Sequence, residues 1–250
     1  MTYFPVETIL SGCKQCHKPL GFDFTFAFQP IVNIQSKSIF GYEALVRGAQ
    51  GQGAGEVLAK INDQNRYAFD QACRVKAIQL ASKLQLDTML SINFLPNAVY
   101  EPAHCIRSTL EAAEAYSFPT ERLMFEITES EYVADVKHMS KIFTEYQAQG
   151  FTTALDDFGA GHAGLNMLAS FVPDILKIDM ELIRDIDRSP VKQSIARGLM
   201  QVCNDLNITV LAEGLETAAE VAYYQDLGVT LMQGYYFAKP GFESLPCVKF

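Results

Sequence analysis

Eight short apolar runs are spread along this chain, and each closes on a polar residue able to bind metal or phosphate. FAFQ ends on Gln29, GYEALVR on Glu43 and Arg47, and LSIN on Asn93. LMFEITE carries Glu126 and Glu129, TALDD ends on Asp156 and Asp157, and ILKID carries Lys177 and Asp179. TVLAE ends on Glu213, and TLMQG carries Gln233. A buried carboxylate costs several kcal/mol unless it is paired or bound to metal. Packing does not explain that risk repeated at the end of strand after strand. One shared site at one end of a β/α barrel does.

The pattern between the runs supports this. FDFTFAFQPIV and KSIFGYEALVRG read as two strands joined by a polar turn at 33–37. That turn is too short for a helical crossover, so it predicts a hairpin. A Gly-rich loop follows at 48–55, then one helical stretch over about 56–84. Thereafter strands centred near 89–94, 122–128, 152–157, 174–178, 208–213 and 229–233 alternate with helices. The helices fall near 102–116, 134–149, 163–170, 190–206 and 217–227. Such alternation predicts a mostly parallel sheet, and eight strands favour closure into a barrel. No Gly-x-Gly-x-x-Gly follows the first strand, which disfavours a dinucleotide-binding fold.

The chain has 250 residues, which suits one barrel: a preface at 1–21 and a single domain at 22–250. Its formal charge of −9 argues against a duplex-binding surface but permits a small anionic ligand, because divalent ions reverse the local sign. No run approaches the roughly 18 apolar residues that span a membrane. The N-terminal stretch lacks the layout of a signal peptide. Six scattered cysteines fit reduced, buried thiols, so a cytoplasmic setting is expected.

Glu43, Asn93, Glu126, Asp156, Asp157 and Glu213 would converge at the strand ends of such a barrel. All are oxygen donors, which suits Mg²⁺ or Mn²⁺ better than Zn²⁺. Neighbours in a strand point to opposite faces, but at its end Asp157 can bend inward beside Asp156 and the pair could bridge two ions. Lys177 could orient the nucleophile or hold a phosphate oxygen, or simply reach solvent. Arg47 suits a phosphate oxygen pair or a surface salt bridge. Gln29 and Gln233 suit a base edge or a phosphate oxygen.

The run QPIV…GYEALVRG, then SINFLP, FEITES, LDDFGAG, LKIDMELI, LAEGLET and QGYYFAKP, resembles the EAL-domain cyclic di-GMP phosphodiesterases over about residues 24–242. The resemblance implies a modified TIM (β/α)8 barrel whose first two strands are antiparallel, in a bacterial second-messenger enzyme. It implies metal-dependent hydrolysis of cyclic di-GMP to linear pGpG, with a metal-activated water attacking phosphorus in line. Glu43, Asn93, Glu126 and Asp156 then match ligands of a first metal, and Asp156, Asp157 and Glu213 those of a second. Lys177 matches the catalytic lysine. Gln29, Leu45, Arg47, Asp179, Gln233 and Pro240 fall where the family contacts the dinucleotide. Glu129 matches an anchor of the loop after Asp157, and Glu216 a supporting acid. A homodimer, formed near the helix after the Asp157 loop, is also implied, and a regulatory protein partner is a further expectation. The competing expectations are a catalytically weak cyclic di-GMP sensor and a protein-interaction module. The sensor type usually lacks a metal ligand, and none is missing here.

The loop after Asp157 departs from the usual DFGTGYSSL: it reads DFGAGHAGL, with Ala160, His162, Ala163 and Gly164 substituted. The change touches no expected ligand. The extra glycine lowers the cost of moving the loop, which suits a regulatory role. Cys13-Lys14-Gln15-Cys16-His17 matches the haem c attachment pattern. Without an export signal no haem is expected. A zinc or redox role stays open beside the plain reading of an ordered or frayed preface.

Overall fold

The computed structural model describes residues 20–128, 136–161 and 164–250. The Cys13–His17 motif, Glu129, His162 and Ala163 lie outside the described residues. Eight strands close a barrel: β1 (Phe24–Asn33), β2 (Ser38–Gly48), β3 (Met89–Asn93), β4 (Leu123–Thr128), β5 (Thr152–Phe158), β6 (Ile175–Ile178), β7 (Thr209–Ala212) and β8 (Leu231–Met232). β2 to β8 pair in parallel in chain order. β1 is antiparallel to both β2 and β8, and closes the ring. The tight turn at 34–37 leaves no room for a crossover helix, so the second strand must run back along the first.

One residue from each strand forms an apolar plug inside the barrel. Ile31, Met124, Ala154, Ile175, Leu211 and Leu231 are buried there, with Phe40 and Met89 packed against them. Strand side chains repeat with a period of two, so the residue two positions nearer the open end shares the same inward face. Those residues are Gln29, Ser91, Glu126, Asp156, Lys177, Glu213 and Gln233; on β2 an irregularity at Phe40 shifts the count, and Glu43, three residues on, faces inward. The polar ring therefore sits directly on an apolar floor, and alternation builds both layers on every strand but β2. A second and much larger core fills the space between the barrel and its helices.

The helices are α1 (Ala54–Leu58), α2 (Arg66–Lys83), α3 (Pro102–Cys105), α4 (Arg107–Ala115), α5 (Val136–Ala148), α6 (Gly164–Leu168), α7 (Met180–Ile183), α8 (Pro190–Asp205) and α9 (Ala218–Asp226). Local chemistry sets several starts. Ser189 caps α8 ahead of Pro190, and Thr217 with Glu220 forms a reciprocal capping box on α9. No helix among the described residues is long and apolar enough to cross a membrane.

Three expectations need correction. The single helix over 56–84 is two helices, because Asn65 Oδ1 accepts from Asn62 N–H and Asn65 Nδ2 donates to the Lys60 carbonyl. Asn side chains that bond the backbone in this way compete with helix continuation. The helix over 102–116 is likewise divided, at Ile106. Gln29 and Glu43 do not end their strands, because β1 continues to Asn33 and β2 to Gly48. β2 pairs with β3 only as far as Ala44, so the two strands run on past the barrel rim as a ribbon. A short β9 (Gly241–Phe242) pairs with Ala27 and Phe28 on that ribbon.

Candidate active site

Lys177 is the hub of the polar ring. Its Nζ lies 2.9 Å from Asp156 Oδ1, 3.0 Å from Glu126 Oε2, 3.0 Å from Glu213 Oε2 and 3.6 Å from Glu43 Oε2. The side chain is wholly buried at the inner end of β6. Burial works against its charge, but Asp156, Glu126, Glu213 and Glu43 outweigh that and hold its pKa well above the ordinary value.

The acids divide into two trios. Single oxygens of Glu43, Glu126 and Asp156 lie within 4.8 Å of one another, and so do single oxygens of Asp156, Asp157 and Glu213. Asp156 belongs to both. Asp157 joins its neighbour because β5 breaks register with β6 between Leu155 and Phe158, and Asp157 takes a left-handed φ of 53°. Aspartate tolerates that region better than most residues. Its N–H donates to Asp156 Oδ1 at 2.9 Å, which fixes the pair.

Two amides hold Glu43. Asn93 Nδ2 donates to Oε1 at 2.9 Å, and Gln233 Nε2 donates to Oε2 at 2.8 Å. Burial pushes the Glu43 pKa up, but Lys177 and these two hydrogen bonds bring it below the ordinary value. The other acids go the opposite way. Burial pushes Glu126 up to about 8, opposed by Lys177 and aided by Glu43 and Asp156. Burial, with the charge of Asp156, pushes Asp157 up to about 6. Burial raises Asp156 against the pull of Lys177, and burial with Asp156 raises Glu213 far above the usual range. One ammonium does not neutralise five carboxylates. Glu126 Oε1 and Gln233 Oε1 are buried, and neither has a hydrogen-bond partner. Oxygen donors, excess negative charge and free acceptor atoms together fit divalent cations.

A cleft of about 340 Å³ opens above the ring, lined by Gln29, Glu43, Leu45, Asp156, Asp157, Asp179, Glu213, Glu216 and Gln233 among others. Gln29 Nε2 donates to the Ala238 carbonyl at 3.3 Å. Asp179 also caps α7 by accepting from Glu181 N–H. Two expected contact residues do not line the cleft. Arg47 sits on the ribbon and donates back to its neighbour Val46's carbonyl, and Pro240 precedes β9.

Three site residues were not anticipated. Ser91 is wholly buried on the inward face of β3, in the same layer as Glu126. Its place two residues before Asn93 was the available signal. Met180 and Tyr235 line the cleft although both are substantially exposed, and Lys239 Nζ stands 5.3 Å from the Tyr235 ring centroid. Met180 directly follows Asp179 and Tyr235 stands two residues after Gln233, so nearness to those expected contacts was their only mark.

An antiparallel first hairpin, a parallel remainder and a carboxylate-rich rim define an EAL-type barrel. The family model of the EAL domain matches residues 20–240, and the chain belongs to that family. A standalone versatile EAL protein from Vibrio cholerae O395, solved in a c-di-GMP-bound form, is 59% identical with a TM-score of 0.90 over 92% of this chain and 98% of that one. Klebsiella pneumoniae BlrP1, solved as a manganese/cy-diGMP complex, is 36% identical with a TM-score of 0.83, over 91% of this chain and 58% of that one. The cyclic di-GMP phosphodiesterase PdeR of Escherichia coli K12 is 38% identical over 125 residues, half of this chain and 18% of that protein. The chain spans about half or less of the length of the first curated relatives it matches.

Proposed function

We propose that the chain hydrolyses cyclic di-GMP to linear pGpG with two divalent cations, Mg²⁺ or Mn²⁺. The observation that carries this reading is Asp156, shared by two acid trios beside a fully buried ammonium. Glu43, Asn93, Glu126 and Asp156 would hold one ion, and Asp156, Asp157 and Glu213 the other. Donation through Nδ2 leaves the Asn93 amide oxygen available to a cation. Bound there, the ions supply Lewis acidity, which polarises a phosphoryl oxygen and eases ionisation of water.

The remaining chemistry belongs to the protein. Water gives up a proton as its oxygen bonds to phosphorus in line with the ribose 3′ oxygen, the bond from phosphorus to that oxygen breaks, and the 3′ oxygen takes up a proton from solvent. Lys177 stays protonated and donates toward the attacking water or a phosphate oxygen, which fixes the line of approach. Gln29, Leu45 and Gln233 bind the dinucleotide across the cleft floor, and Asp179 lies at its edge. Arg47 and Pro240 belong to the rim, where the ligand would meet them only on leaving the cleft floor. Glu129 would brace the loop after Asp157, and Glu216 would stand beside the loop after Glu213 at the cleft mouth. We assign the enzyme to the cytoplasm, where a nucleotide second messenger resides.

Incubation of the purified chain with cyclic di-GMP tests the reading. Chromatography should show pGpG with Mg²⁺ or Mn²⁺ and none with chelator. Tight binding without metal-dependent turnover would instead identify a cyclic di-GMP sensor.

We also propose a homodimer through α8. Val191, Ile195 and Val202 are exposed along it, and Leu206 just past its end. They stand in symmetric pairs about the Gly198–Leu199 bond, so a second copy laid antiparallel would match each pair. Light scattering on wild type and Ile195→Glu should give a dimer and a monomer.

A further inference from the structure

The loop that follows β7 carries Glu213 into the ring and Glu216 to the cleft mouth. An arginine from outside the cleft helps to tie it down. Arg184, just after α7, donates from NH2 to the Gly214 carbonyl at 3.2 Å, and the same NH2 lies 3.0 Å from Glu216 Oε1. Its NH1 donates to Glu220 Oε1 at 3.2 Å. Glu220 in turn accepts from the N–H groups of Glu216 and Thr217 at 2.9 and 3.0 Å. The guanidinium fork thus reaches one carbonyl and two carboxylates, and Lys has no such geometry.

Two consequences follow. Glu213 is bracketed: its N–H bonds the Ile178 carbonyl, and the next carbonyl, that of Gly214, is held by Arg184. The Ile178 anchor does not depend on Arg184, so the lysine and Glu213 keep their separation without it. The second consequence is electrostatic. Glu216 is a half-exposed carboxylate at the mouth of a cleft already rich in negative charge. An anionic ligand entering there meets a masked charge while Arg184 is in place, and a bare one when it is gone.

We propose that Arg184 is a positioning residue that masks Glu216 and so lets the cleft admit an anionic ligand. The inference rests on cyclic di-GMP as that ligand. It assigns ligand affinity, rather than the chemical step, to a residue outside the cleft.

The test compares wild type, Arg184→Met, Arg184→Lys and Arg184→Met/Glu216→Gln, each checked by thermal melting. KM and kcat for cyclic di-GMP are measured with Mn²⁺, and ligand affinity by calorimetry with Ca²⁺. Arg184→Met should raise KM and Kd about five- to tenfold while kcat falls less than about twofold. Added salt should shrink the defect. Arg184→Lys should fall between wild type and Arg184→Met, and Glu216→Gln in the Met background should restore affinity to within about twofold of wild type. A loss confined to kcat, or one that Glu216→Gln leaves untouched, overturns the masking role. If Arg184→Met melts far below wild type, the double variant decides: affinity restored without a regained melting temperature supports the masking role, and affinity restored only together with it overturns that role. Wild type that binds no cyclic di-GMP overturns the ligand assignment and this inference with it. Wild type that binds, with Arg184→Met binding equally well, overturns the inference alone.

Discussion

The Lys177 ammonium lies 2.9 Å from Asp156 Oδ1, and almost no solvent reaches either side chain. That pair ties the floor of the site together, since Asp156 belongs to both acid trios and Lys177 touches the acids of β2, β4 and β7 as well.

Lys177→Met separates two roles. The variant should lose turnover by at least about a hundredfold while KM for cyclic di-GMP shifts less than about threefold, because the ammonium acts on the reacting centre. Its metal-free form should also be less stable, by about 3 kcal/mol, since four buried carboxylates lose their counter-charge. Saturating Mn²⁺ should recover much of that stability. Equal losses in kcat and affinity would contradict the catalytic role, and a melting temperature indifferent to metal would contradict the structural one.

Asp156→Asn should cost more metal affinity than either Glu126→Gln or Asp157→Asn. The first change weakens both trios, while the others touch one each. Calorimetric titration with Mn²⁺ should show both binding steps weakened about tenfold or more in Asp156→Asn and one in the others. Similar losses in all three would mean that Asp156 is not shared.

The alternation of the chain made the barrel legible, and apolar runs closed by acids made the ring legible. The layered interior was legible too, because Met124 stands two residues before Glu126 and Ala154 two before Asp156. The remainder depended on local events that periodicity does not report. The bend that turns Asp157 inward comes from a left-handed backbone and a register break, neither of which leaves a residue pattern. Asn65 broke a helix through bonds to its own neighbours. Arg47 matched a motif, yet the extra length of β2 carried it past the cleft floor. Arg184 belongs to no acid-terminated run, so its grip on the loop after Glu213 could be found only in three dimensions.

The metal-free protein should grow less stable as pH rises from about 4 to about 8. Asp157 titrates near 6 and Glu126 near 8 in the fold, against ordinary values of 3.8 and 4.5. Between those limits the native chain keeps protons that the unfolded chain has released, so raising pH favours unfolding. Glu43 runs the other way, because its lowered pKa gives stability that is lost only on acidification below its ordinary range. Lys177 stays charged throughout this window. Metal binding must expel the retained protons, so apparent Mn²⁺ affinity should rise across the same interval. Melting curves at pH 5 and 8, with and without Mn²⁺, check both signs. A metal-free protein more stable at pH 8 would refute them.

Gly234 gives the sharpest steric test of the site. A Cβ placed there would lie 2.1 Å from the Leu215 carbonyl oxygen and 2.4 Å from the Leu215 nitrogen, both backbone atoms with little freedom to yield. Leu215 N–H already bonds the Gln233 carbonyl, and Tyr236 N–H bonds the Leu215 carbonyl, so the two loops are fastened at that contact. Gly234→Ala must push them apart, and Gln233 moves with them. Its 2.8 Å bond to Glu43 Oε2 would then lengthen or break, leaving a buried carboxylate oxygen without its amide. The variant should lose about 2 kcal/mol of stability and bind cyclic di-GMP at least about tenfold more weakly. Gln233→Ala removes the amide and leaves the backbone contact alone, so it should show the same affinity loss with only the part of the destabilisation that comes from the lost hydrogen bond. Calorimetry and melting on the two variants separate crowding from the lost hydrogen bond. Unchanged ligand affinity in Gly234→Ala would show that the loops part without disturbing the grip on Glu43.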